Sequence, residues 1–289
     1  MIVGGNTTVS VANLDAAIRF YTEQLGLRLT NRLGDRWATI DAGPSYWTTE
    51  DQPDAGLMIG LRPASPDGPK PGTTGGVGFG FETYEAIADV ANGLKARGVR
   101  LTGDIVTFEA GKTFAFTDLD GVASFAWEFS ADMLKDVEPG SESDDRKALL
   151  SGGHAIVYVN DMDAAIRFYV QTLGMKLTYR FESKFATMIA GRNLVVALHP
   201  RTPNTPIPGT KGSVTLGLIV DEPINTVLSR LAKRGVRITG QSEPGTPRAQ
   251  SDGRSVEIED PDGNVITLWE ASAFVAEGEL AAAGASASR

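Results

Sequence analysis

Cysteine is absent from the 289 residues, so disulfides, thiolate nucleophiles and Cys-ligated metals are excluded together. Histidine is scarce: His154 and His199 are the only two. Cations are also short, 27 Lys and Arg against 36 Asp and Glu, and the formal charge of −9 repels a phosphate backbone. With no Lys/Arg cluster interleaved with aromatics, nucleic acid is not an expected partner. No run approaches the roughly 18 apolar residues of a membrane span, and residues 1–5 lack a basic start leading into an apolar stretch. The expectation is a soluble, cytoplasmic protein with no membrane partner. Two catalytic signatures are missing as well. No Gly-x-Ser-x-Gly elbow occurs, and the glycines at 72, 75, 76, 78 and 80 are not followed by the Gly-Lys-Ser/Thr of a phosphate loop.

What is present is a repeat. Asp15-Ala16-Ala17-Ile18-Arg19-Phe20-Tyr21 returns unchanged as Asp163-Ala164-Ala165-Ile166-Arg167-Phe168-Tyr169, and Leu25-Gly26 returns as Leu173-Gly174. A repeat spaced by about half the chain implies duplicated domains rather than a solenoid of 20 to 50-residue units. With 42% hydrophobic and 22% charged residues, each half can bury a core.

Residues 5–12 alternate, with Thr7, Val9 and Val11 on one strand face and Asn6, Thr8 and Ser10 on the other. Asn13 or Asp15 caps a following helix of about three turns, whose stripe is Ile18, Tyr21 and Leu25 and whose end is Gly26. Three strands follow, at 27–33, 36–42 and 56–61. The Pro/Gly-rich run 62–76 is a linker. The plan then restarts with a strand at 77–81, a helix at 84–97 and strands near 99–102, 112–117 and 124–130. The second half repeats both modules at about 152–200 and 212–272. Asp118, Asp120, Asp260 and Asp262 fall in turns, where Asp bonds its own backbone, and are given structural roles. Aligning the halves leaves the first with an 11-residue excess around 43–56, which contains Tyr46 and Trp47 and is expected to be a longer hairpin or flap. The domain boundaries are 1–132 and 151–272, separated by an acidic linker, 133–150, and followed by an Ala-rich tail, 273–289.

Four strand-helix-three-strand modules, the pattern D-x-x-x-x-F-Y-x-x-x-L-G after a first strand, and Asp260-Pro261-Asp262-Gly263-Asn264 before the last strand resemble the vicinal oxygen chelate superfamily of glyoxalases, bleomycin-resistance proteins and extradiol dioxygenases. The resemblance implies an α+β fold in which four βαβββ modules pair into two glyoxalase-like cup-shaped domains. It further implies that each half closes one cup and that the halves pack as an internal pseudo-dimer; a homodimer is the further oligomeric option. Family enzymes hold a divalent metal with His, Gln or Glu on first and last strands. The matching positions here are His154, Ala197, Thr215 and Thr267 in the second half, and Asn6, Gly60, Gly78 and Phe125 in the first. One His among eight positions falls short of the three or four ligands a metal needs.

No cofactor is therefore expected; the alternative is a divalent metal in the second domain with His154 and His199 as its candidates. His199 follows Ala197 by two and so shares its strand face. One reading pairs the two histidines in one cup, with His154 as candidate general base. The plainer and favoured one has His154 hydrogen-bonded within the cup and His199, beside Pro200 at a strand end, solvated. Phe125, Trp127 and Phe129 give their strand an aromatic face, which is expected to oppose Gly76, Gly78 and Gly80 across a slot for a flat ligand. The second cup is lined by Tyr158, Thr215, Gly217, Thr267 and Trp269 and is the more polar. Asn6, Trp37, Gly78, Phe125, Trp127, His154, Tyr158, His199, Thr215, Thr267 and Trp269 are the candidate ligand-binding residues. The expected function is metal-independent binding of a small, partly aromatic molecule; the alternative is a metal-dependent lyase or dioxygenase built on His154.

Overall fold

The computed structural model describes residues 2–134, 149–239, 246–250 and 253–271. Most of the acidic linker and all of the Ala-rich tail lie outside these residues.

The first module comprises β1 (Ile2–Val11), α1 (Leu14–Arg19), β2 (Arg28–Leu33), β3 (Trp37–Pro44) and β4 (Gly56–Pro63). The second has β5 (Val77–Glu82), α2 (Ile87–Ala96), β6 (Arg100–Leu101), β7 (Val106–Phe108), β8 (Gly111–Thr117) and β9 (Ala123–Phe129), then a short α3 (Ala131–Leu134). The third repeats the first as β10 (Gly152–Val159), α4 (Met162–Ile166), β11 (Lys176–Phe181), β12 (Phe185–Ala190) and β13 (Leu194–Pro200). The fourth repeats the second as β14 (Val214–Val220), α5 (Ile224–Lys233), β15 (Arg237–Thr239), β16 (Arg248–Gln250), β17 (Gly253–Glu259) and β18 (Val265–Ala271). The short strands β7 and β16 each form the outer arm of a hairpin, and at three residues apiece they are too short for alternation to announce a strand.

The repeated heptapeptide builds the outer layer. Asn13 Oδ1 accepts the Ala16 N–H at 2.9 Å, and Asp161 Oδ1 accepts the Ala164 N–H at 3.0 Å, satisfying donors at each helix start. Instead of three α-helical turns, each helix widens into a π-helical turn, Phe20–Gln24 and Arg167–Thr172. In each, two consecutive aromatics, Phe20 with Tyr21 and Phe168 with Tyr169, are buried. Tyr21 Oη donates to Asp118 Oδ2 at 3.1 Å and Tyr169 Oη to Asp260 Oδ2 at 3.0 Å. The other oxygen of each carboxylate accepts two backbone N–H groups of its own turn. These aspartates thus pin the turn to the helix. Burial, then the adjacent carboxylate, pushes both phenols well above their ordinary range. Tyr169→Phe is expected to cost about 1–2 kcal/mol, because a buried carboxylate loses a donor; urea midpoints of the variant measure it.

The ladders correct one expectation. Each half was expected to close its own cup, but the pairing joins β1 antiparallel to β14 and β5 antiparallel to β10. One cup, here the central cup, runs β11, β12, β13, β10, β5, β9, β8 and belongs to the second and third modules. The terminal cup runs β2, β3, β4, β1, β14, β18, β17 and belongs to the first and fourth. The exchange occurs where the two inter-module linkers meet. Ser213 N–H donates to Thr73 O at 2.8 Å and Gly76 N–H to Thr210 O at 2.9 Å. A Cβ on Gly75 would stand 2.7 Å from Gly212 Cα, and one on Gly212 would stand 2.7 Å from Gly75 Cα, so only glycine allows the linkers to pass this closely.

Candidate functional site

The central cup is built around His154. Strand β10 sets His154 beside Gly80, and Ile156 beside Gly78; on the far side of β5, Gly80 pairs with Phe125. Alternation then points Gly78, Gly80 and Glu82 to one face with His154, Ile156 and Tyr158. Next along the sheet, Tyr158 pairs with His199 and Ile156 with Ala197.

His154 is 1% exposed, and its Nδ1 lies 2.8 Å from Glu82 Oε1. Glu82 is equally buried and is the focus of two further donors: Ser45 Oγ at 2.8 Å on Oε1 and Tyr46 N–H at 2.7 Å on Oε2. With three donors converging on one carboxylate, Nδ1 carries its proton toward Glu82 and Nε2 presents a lone pair. That Nε2 is buried and has no hydrogen-bond partner among the described residues. A Cβ added to Gly80 would stand 3.9 Å from it, while one added to Gly78 would meet nothing within 4 Å. The glycines keep the space in front of the imidazole open.

His199 corrects the solvated reading. Its ring lies 6.2 Å from that of His154 at an interplanar angle of 22°, and its Nε2 is buried without a partner among the described residues. Burial, and secondarily the neighbouring His154, pushes the imidazole from 6.5 down to about 3, so it stays neutral. Tyr158, 6.0 Å from His199 between ring centres, is pushed up to about 12 by burial.

The 11-residue excess closes one end of this cup. Tyr46 and Trp47 are buried; Tyr46 packs on Phe129 at 5.6 Å, and Trp47 packs on Phe129, Tyr179 and Phe185 at 5.2, 4.6 and 5.4 Å between ring centres. The hairpin leaves the terminal cup at β3, supplies the Ser45 and Tyr46 donors to Glu82, and returns at β4. Its tip is tied to the third module by Lys176 Nζ, 2.7 Å from Asp51 Oδ1.

The terminal cup is different in kind. By ladder register Asn6 takes the place of His154 and Ile219 the place of Glu82. Asn6 Oδ1 accepts from Thr8 Oγ1 at 2.7 Å. Trp37 donates from Nε1 to Thr39 Oγ1 at 2.9 Å, and its ring covers Gly60. Thr215, Thr267 and Trp269 share this face through the β1, β14 and β18 ladders. Burial lowers the Arg62 guanidinium from its usual range, with Glu257 opposing that shift and Arg248 adding to it.

The candidate residues therefore sort differently from the halves of the chain. Gly78, Phe125 and Trp127 join His154, Tyr158 and His199, while Asn6 and Trp37 join Thr215, Thr267 and Trp269. Gly80 and Phe125 are ladder neighbours, so the aromatics flank the glycines rather than opposing them across a slot. Sequence reasoning missed Glu82 and Ser45. The available signal was strand alternation, which places Glu82 on the face of Gly78 and Gly80.

The donor set does not fit a family-type metal. At the family positions the central cup offers His154, Ala197, Gly78 and Phe125, and the terminal cup offers Asn6, Gly60, Thr215 and Thr267. Among the described residues no three His, Asp or Glu side chains gather as a metal-binding group. Also among them, no helix is long and apolar enough to cross a membrane.

Residues 5–124 and 152–268 both match the Glyoxalase/Bleomycin resistance protein/Dioxygenase superfamily, and the chain belongs to that family. It is 31% identical over 121 residues to the virulence protein STM3117 of Salmonella typhimurium, a match spanning 40% of this chain and 80% of that protein. Glyoxalase I from Zea mays superposes with a TM-score of 0.62 at 17% identity, over 96% of this chain and 95% of the maize chain. That likeness is one of fold. TnmS3, an antibiotic binding protein from Streptomyces sp. CB03234, is 28% identical over 40% of this chain and 93% of its own, with a TM-score of 0.32.

Proposed function

We propose that the central cup binds a small, partly aromatic molecule directly through protein side chains, without a metal ion. The observation that carries this reading is the buried His154 Nε2, without a partner among the described residues while Glu82 fixes the other ring nitrogen. A buried polar atom that costs about 1–3 kcal/mol unpaired is retained where a ligand completes it. The surrounding Phe125, Trp127, Phe129 and Phe185 suit an aromatic body, and open space lies at Gly78.

The test uses protein stripped with chelator and titrated with a panel of substituted benzenes and naphthalenes. Of the four tryptophans, Trp47 and Trp127 report on the central cup and Trp37 and Trp269 on the terminal one. Quenching confined to the first pair supports the reading. Binding that appears only with a stoichiometric divalent metal, and disappears in His154→Ala, overturns it. Gly78→Val sharpens the result. The backbone there is compatible with valine and nothing stands in its way, so folding should be unaffected. The added side chain would occupy the ligand's space, and affinity should fall by about ten-fold or more, equivalent to an overpacking cost of about 1–3 kcal/mol.

A further inference from the structure

Three buried polar atoms without a partner among the described residues surround one ring. They are His154 Nε2, His199 Nε2 and the Trp47 Nε1–H. The ring is Phe185, whose centre lies 6.1 Å from that of His154, 5.2 Å from that of His199 and 5.4 Å from that of Trp47. Of the three, His154 Nε2 also faces the glycine strip, 3.9 Å from where a Cβ on Gly80 would stand.

The two imidazoles are not equivalent. If His154 Nε2 gains a proton, the resulting imidazolium keeps Nδ1–H on the buried Glu82 carboxylate at 2.8 Å, and that charge pair is strong in a low-dielectric interior. Among the described residues no carboxylate pairs with His199, which stays neutral. The titratable groups around His154 are Glu82 from β5 and His199 from β13, with the phenols of Tyr46, Tyr158 and Tyr179 lining the same cup.

We propose that the central cup selects aromatic molecules bearing an acidic ring hydroxyl, and that His154 takes the hydroxyl proton on binding. This rests on the binding reading above. In the step the ligand O–H bond breaks and an Nε2–H bond forms, leaving a phenolate beside an imidazolium whose charge Glu82 balances. No other reactant is consumed, and release returns the proton to the ligand.

The full chain is titrated with 4-nitrophenol and with its methyl ether, 4-nitroanisole, in buffer below the phenol's own titration. The expected result is growth of the phenolate absorbance band as protein is added, with the ether bound about ten-fold or more weakly. His154→Gln should abolish the band. Glu82→Gln tests positioning: its amide oxygen still accepts from Tyr46 N–H, while its NH2 donates to His154 Nδ1 and moves the ring proton to Nε2. That variant should lose the band yet retain 4-nitroanisole, which accepts from the new Nε2–H. If 4-nitrophenol binds with the spectrum of the undissociated phenol, or both probes bind wild-type protein equally, the proton-transfer inference fails and the binding reading stands. If neither probe nor any member of the aromatic panel binds, both fail.

Discussion

Glu82→Leu is expected to lower stability by about 3–5 kcal/mol, the range for breaking a buried charged network by removing one partner. For a chain of this size that corresponds to a fall in melting temperature on the order of 10 °C. Shape is not the cause: the terminal cup places Ile219 at the register equivalent of Glu82, so an aliphatic side chain is tolerated at that point of the fold. The loss comes from three donors, Ser45 Oγ, Tyr46 N–H and His154 Nδ1, that are buried around a carboxylate no longer there. Removing the donors should therefore recover part of it. Ser45→Ala alone is expected to cost about 1 kcal/mol, but in the Glu82→Leu background it should cost nothing or help, the signature of a shared network. A fully additive double-mutant cycle would show that Glu82 stabilises by some other route. The Tyr46–Trp47 hairpin should also loosen, because its anchor is gone, and Trp47 fluorescence would report that directly.

The division between what the sequence disclosed and what it concealed follows from the physics of pairing. The four modules were legible because helix caps, Gly26 and Gly174, and strand alternation are local signals. The identity of each cup was not. Pairing β5 with β10 buries the same faces, with the same periodicity, as pairing β5 within its own half, so alternation cannot distinguish the two closures. The exchange brings two distant linkers into contact, Gly75 against Gly212, and no one-dimensional pattern encodes that approach. The same exchange explains the site. His154 and Glu82 lie in different halves, so a search for chemistry within one half finds two histidines and misses the carboxylate that orients one of them. The cup around His154 is closed by a third element, the hairpin carrying Ser45, Tyr46 and Trp47, whose length was visible as an excess but whose destination was not. His199 was misread because a strand-end position beside proline is ordinarily wet; here Phe185 and Tyr158 enclose it.

Acidification should destabilise the protein through His199 before most carboxylates titrate. Its folded-state value near 3 lies below the unfolded 6.5, so the neutral imidazole contributes stability that is fully present above 6.5 and is lost as pH falls toward 3. The loss across that window is about 1.4 kcal/mol per pH unit; partial contact of His199 with solvent narrows the window from its lower end and leaves the slope unchanged. Two other groups act with the opposite sign. Burial raises Asp118 and Asp260 above the usual carboxylate range, so each protonates more readily folded than unfolded and its contribution to stability grows on acidification. Their effect begins as pH falls through their raised folded values and is common to the native protein and a His199 variant, so a comparison of the two isolates the histidine. His199→Phe keeps an aromatic ring against Phe185 and removes the titration. Its urea midpoint should be close to that of the native protein above pH 7 and exceed it by about 1–2 kcal/mol near pH 5. Parallel curves for the two proteins across that interval would show that the His199 ring is open enough to accept its proton in the folded state.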